Sequence, residues 1–132
     1  MEAPQTLRHS QWLDLLLWLV RRRQRLRVVG RSMLPLLQPG EEVLIAPKAY
    51  TQSSHRGTIH NFSEGFPFQS GDIVVARHPH NPDLRIIKWV VFVEEDGRCY
   101  LKGLNPQEST DSRSFGLVAP ALILGRVVCR FP

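Results

Sequence analysis

Cysteine is scarce in this chain. Its 132 residues hold two, Cys99 and Cys129, too few and too far apart for a zinc motif and too few for a disulfide framework. The expectation is a reduced, cytoplasmic protein that needs no metal or other cofactor. Long apolar runs are also lacking. The N-terminal stretch Trp12–Val20 is interrupted by Asp14 and reaches about half of the roughly 20 residues needed to span a bilayer. It precedes the arginines that follow, the reverse of a signal peptide's order. A soluble chain is therefore expected, attached at most to a membrane surface. Neither an internal repeat nor a low-complexity tract is present, which removes solenoids and linker-like chains from consideration.

What is present is an ordinary globular balance, 42% hydrophobic and 22% charged, with a net charge of +5. The length suits one domain with a real core. Much of the positive excess lies in Arg21-Arg22-Arg23-Gln24-Arg25-Leu26-Arg27, a solvated helix end or a patch for anionic surfaces such as nucleic acid or phospholipid. Before it, Ser10 is a candidate N-cap, and Leu13, Leu16, Leu17 and Val20 recur at helical spacing, widened by Trp12, Leu15, Trp18 and Leu19. So apolar a helix must bury itself in its own core, against a partner, or in a lipid interface, with core or partner packing preferred.

Short strand-like runs follow: Leu26–Val29, Glu42–Ala46, Asp72–Arg77, Leu84–Val93, Cys99–Lys102 and Leu122–Phe131, with turns at Gln38-Pro39-Gly40, Asn81-Pro82-Asp83 and Asp96-Gly97. The fold class is mostly β, with residues 1–27 as an N-terminal helix and arginine-rich segment and 28–132 as the main domain. Residues 48–70 lack periodicity and read as a long loop.

Two residues carry candidate chemistry. Alternation along Leu84–Val93 places Lys88 among Leu84, Ile86, Val90 and Phe92 on one face. Burying an ammonium there lowers its pKa and turns the amine into a general base. Ser32 lies in Gly30-Arg31-Ser32-Met33-Leu34-Pro35, where Gly30 permits unusual dihedrals and Pro35 stiffens the chain. A serine hydroxyl needs a neighbouring base to become a nucleophile, and lysine can serve. Taken singly, such a serine is more often a turn residue and an edge lysine more often reaches to water. His78-Pro79-His80 has no third metal ligand nearby and reads as surface.

Four boxes in order, Gly30–Pro35, Gly71–Val75, Arg85–Lys88 and Ser109–Gly116, resemble those of type I signal peptidases and their relatives in the S26 serine protease family. The resemblance covers residues 28 to about 128. The short members known as nickel-type superoxide dismutase maturation proteases are the most similar, with a Leu/Trp-rich N-terminus and an arginine run before the serine box. The resemblance implies a core of twisted antiparallel sheets, Ser32 as nucleophile and Lys88 as general base. Met33 and Pro35 would line the substrate cleft, Ser109 would orient the lysine, and Asp111 with Arg113 would form a structural ion pair. Two positions depart from the pattern. Gly30 replaces a serine that completes the oxyanion hole in many signal peptidases, leaving that task to backbone groups such as the Ser32 N–H. Leu104 stands where the Gly-Asp-Asn sequence has its aspartate.

The implied function is an endopeptidase that removes an N-terminal propeptide, with the nickel superoxide dismutase precursor as its protein partner. The alternative is signal peptide cleavage at a membrane surface, contacted through the N-terminal helix. A nucleic-acid-binding module is the remote rival, resting on the arginine block alone.

Overall fold

Six antiparallel strands form one open sheet in the computed structural model, which describes residues 4, 7–19, 23–47, 68–108 and 110–131. Helix α1 (Trp12–Leu19) precedes β1 (Gln24–Arg27), β2 (Glu42–Pro47), β3 (Ile73–His78), β4 (Asn81–Val93), β5 (Cys99–Lys102) and β6 (Ile123–Arg130). A short helix α2 (Ser112–Phe115) lies between β5 and β6. The order across the sheet is β1-β2-β6-β3-β4-β5, so the mostly β expectation holds. Each strand read from alternation is present, within three residues at its ends, because apolar runs bounded by Gly, Pro and Asn leave little choice of register.

Both faces of the sheet are covered, which explains the near-continuous burial of β3. One face packs Val28, Met33, Leu37, Val43, Ile45, Ile73, Val75, Trp89 and Val127 together. The other gathers Phe68, Val74, Ala76, Val90, Cys99, Leu101, Val118 and Ile123. Phe68 belongs to the stretch read as a long loop, yet it is buried, and the Ser70 hydroxyl donates to the Val91 carbonyl at 2.6 Å. Residues 48–67 lie outside the described residues.

Three expectations are corrected. The reversal between β3 and β4 falls at Pro79-His80, not Asn81-Pro82-Asp83: His78 pairs with Asn81 and Arg77 with Arg85, so Pro82–Leu84 drop out of register inside β4. Proline has no N–H for a ladder and marks such bulges. A second bulge, at Val91, breaks the alternation. Val93 consequently joins the Val90 cluster, while Phe92 is 42% exposed and stacks on Tyr100 at 5.0 Å. Finally, Ser10 does not cap α1. Its N–H is held by the Arg130 carbonyl at 3.0 Å and its hydroxyl has no partner among the described residues. The Gln11 N–H instead donates to the Asp14 carboxylate at 2.9 Å, which Arg8 grips in two-pronged fashion.

Gly125, in the middle of β6, is fixed by space. A Cβ there would sit 2.5 Å from the Ala46 carbonyl oxygen and 2.7 Å from Ile45 Cγ2, and the backbone oxygen cannot rotate away. Gly125→Ala is expected to destabilise the chain by about 2 kcal/mol. Chemical denaturation checks this; an unchanged midpoint would mean that β2 and β6 have room to separate.

Candidate active site

The turn that carries Ser32 is pinned at its base and along its length. The Val28 N–H donates to the Glu41 carbonyl at 2.7 Å and the Gly40 N–H returns to Val28 at 2.9 Å, closing the loop between β1 and β2. Gly30 has φ +83°, a left-handed value that side chains resist. This is the unusual dihedral expected just before the serine. Met33 and Leu37 drop into the first core cluster and anchor the turn from below. Pro35, after a cis bond to Leu34, is exposed. Ser32 itself is partly buried.

Lys88 lies directly opposite Val74 in β3, on the face of the second cluster. It is 3% exposed. Burial lowers its pKa from the ordinary lysine value; Asp111 acts to raise it and Arg113 to lower it. The direction is the one a general base requires.

Asp111 and Arg113 are brought together as an ion pair. Arg113 Nε and Nη2 each donate to the Asp111 carboxylate at 2.9 Å. The Gly103 N–H at 3.1 Å and the Arg113 N–H at 3.0 Å donate to the same group. Burial of Asp111 works against ionisation, but these donors outweigh it and hold the carboxyl below its usual range. Ser112, next to it, accepts the Leu101 N–H at 2.8 Å. Ser109 lies outside the described residues. Leu104, in the altered Gly-Asp-Asn position, packs against the first core cluster.

The sequence reading did not single out Asn105 as a site residue. Its N–H donates to the Ser32 carbonyl at 2.9 Å and its Nδ2 to the Arg31 carbonyl at 3.0 Å, so it clamps the serine turn to the loop after β5. The signal was present in Asn105-Pro106, a dipeptide that favours turn initiation. β5 leaves β4 at the pair Trp89–Lys102. The three residues from there to Asn105 reach at most about 11 Å, which limits how far the serine turn can lie from that pairing.

Beyond Trp89, β4 is open. Arg85–Lys88 pair with β3 on one side, and among the described residues no strand pairs with their other side. An extended peptide could add there, reading backbone to backbone and ending at Lys88. The cysteines offer no competing nucleophile: burial pushes the Cys99 thiol up to about 11 and raises that of Cys129. His78 accepts the His80 N–H at 3.1 Å and meets Phe115 edge-on at 5.0 Å.

The family described as "Signal peptidase, peptidase S26" matches residues 15–96, a span that includes Ser32 and Lys88. Several curated proteins are similar. The mitochondrial ATP-independent inner membrane protease subunit 1b of Arabidopsis thaliana is 34% identical over 125 residues, 76% of this chain and 65% of its own length. Mitochondrial inner membrane protease subunit 2 of Mus musculus is 32% identical over 114 residues, 74% and 60%. Subunit 1 of Xenopus tropicalis is 37% identical over 84 residues, 49% and 50%. The chain thus spans about half to two-thirds of the length of these relatives.

Asp111→Ala is expected to cost about 2 kcal/mol, since half-exposed Arg113 screens part of the buried pair. Because the folded carboxyl sits below the ordinary value of about 3.9, its stabilisation is complete above that pH and is lost as pH falls through the lower folded value. Unfolding followed from neutral pH into acid should show a shallower loss in the variant; parallel curves would remove Asp111 as the carrier.

Proposed function

We propose that this chain, which belongs to the signal peptidase (peptidase S26) family, is a serine endopeptidase in which Ser32 and Lys88 form the catalytic dyad. The observation that carries the reading is Lys88, buried and depressed in pKa at the end of an open strand edge. The substrate lies extended along Arg85–Lys88, pairing with the backbone as an added strand. Neutral Lys88 takes the Ser32 proton as the hydroxyl oxygen attacks the scissile carbonyl. Backbone donors, the Ser32 N–H among them, receive the oxyanion in the absence of a hydroxyl at Gly30. The lysine then returns the proton to the leaving amine, and water activated by the same group hydrolyses the acyl-enzyme.

For the substrate, the reading best supported is the cleavage of N-terminal targeting peptides at a membrane surface. Its support is that the relatives named above are inner membrane proteases. Removal of a propeptide from the nickel superoxide dismutase precursor, the first expectation from the sequence, gains nothing from those relatives and is the second reading. A cytoplasmic location likewise gains no support from them.

Intact mass spectrometry after incubation with a signal-peptide-bearing precursor, and separately with the nickel superoxide dismutase precursor, tests both readings. The first is expected to be shortened at its N-terminus. Ser32→Ala and Lys88→Ala should each slow the cut on the order of a thousandfold or more; retention of activity by either variant would remove that residue from the dyad. Shortening of the dismutase precursor alone would reverse the substrate choice. Because Lys88 must be neutral to act, kcat/KM should climb from about pH 6 to about pH 9, and a flat profile would count against Lys88 as the base.

A further inference from the structure

Two arginines oppose each other at the far end of the strand edge that leads to Lys88. Arg77 in β3 and Arg85 in β4 are register partners, and like charges directly opposite weaken a strand pair. Alternation puts both on the side of Val75 and Ile87, the face of the first core cluster. Among the described residues no carboxylate forms an ion pair with either guanidinium. Asp83, two places before Arg85, is exposed and lies in the stretch that leaves the register. Arg77 is half-buried and steadied by one bond, from its Nη1 to the Pro82 carbonyl at 3.0 Å. Arg85 is exposed. An acidic group between the two would relieve their repulsion and take paired N–H donors from a guanidinium.

Beside them is a cavity of about 230 Å³. Leu26, Ile45, Val75 and Leu124 give it an apolar wall, and Arg77 and Arg85 border it. It exceeds the roughly 150 Å³ that takes up a benzene molecule, so the body of a side chain fits. Arg25 also borders the space, but its guanidinium is engaged by Glu42 and the Phe131 ring. An apolar wall beside two cations suits methylenes that end in a carboxylate. The cavity also lies in line with the dyad along two of its strands. Arg85 precedes Lys88 by three residues, about 10 Å at strand spacing, and Leu26 belongs to β1, the strand that runs into the serine turn. An enzyme that removes an N-terminal extension reads the extension, so the guest on the open edge is the part before the scissile bond, ending at Lys88. Its side chain beside Arg85 then stands three or four positions before the cut.

We infer, on the peptidase reading above, that Arg77 and Arg85 form an anion-selective subsite favouring substrates with an acidic side chain three or four positions before the scissile bond. The carboxylate bridges the two guanidinium groups while its methylenes lie against the apolar wall. The effect is a bias at one position, added to backbone pairing that serves every extended guest.

The test is the cleavage of peptides built on one signal-peptide cleavage site and differing only in whether glutamate, glutamine or lysine stands three or four positions before the cut. The native chain is expected to favour glutamate over glutamine in kcat/KM by about fivefold, the upper end for one opposite-charge pair across strands. Lysine should be slowest, and the differences should shrink in high salt. Arg77→Gln and Arg85→Gln should each bring the glutamate-to-glutamine ratio toward one, and Arg85→Glu should turn the preference toward lysine. Because the ratio is taken within each variant, any general loss of rate cancels. A ratio of one in the native chain, or a preference that survives in Arg77→Gln/Arg85→Gln, overturns the subsite and leaves the dyad standing. If no peptide is cut, the peptidase reading falls, and fluorescence anisotropy of the same peptides, labelled, decides the subsite. The glutamate peptide must then bind more tightly than the glutamine peptide; equal or absent binding overturns it.

Discussion

Asp111 holds its charge in the interior because donors converge on it, among the described residues two from the Arg113 side chain and two from backbone N–H groups. That convergence ties Gly103 and Arg113, the two ends of the loop, to one carboxylate. Asn105 sits on that loop and holds the backbone of Arg31 and Ser32, so the loop braces the serine turn in addition to the turn's own anchors at Val28, Met33 and Leu37. The same carboxylate acts on Lys88, but not alone. Asp111 favours the charged lysine and Arg113 opposes it. Burial is the largest influence and decides the direction, with Asp111 and Arg113 acting in opposite senses. A lone aspartate at this place would keep the lysine protonated, so the pairing with Arg113 is what lets a buried carboxylate and a base-like amine coexist.

The strands were legible because period-two alternation and turn residues act locally. Their irregularities were not, since a bulge depends on what the neighbouring strand needs: nothing within Leu84–Val93 marks Val91 as the residue that steps out of register opposite β5. Lys88 could be picked out because a cation among apolar neighbours is a conflict visible in the residues themselves. Asn105 could be placed in a turn from Asn105-Pro106 but not in the site, since its partners lie more than 70 positions away. Helix α1 is the sharpest case. Periodicity tells which side chains share a face and is silent on which face turns inward. Here an ion pair between Arg8 and Asp14 draws the charged side in and leaves leucine and tryptophan outside, the reverse of what burial of apolar area alone would select.

An open strand edge reads the backbone of its guest, which every extended peptide shares. In the proposed mechanism the edge at Arg85–Lys88 supplies alignment, and little of it depends on guest side chains. Discrimination between targeting peptides and other N-terminal extensions must then come largely from presentation, from which extended segments are brought to the edge and held there. The half-buried Ile86 and Ile87 add an apolar preference without fixing a sequence.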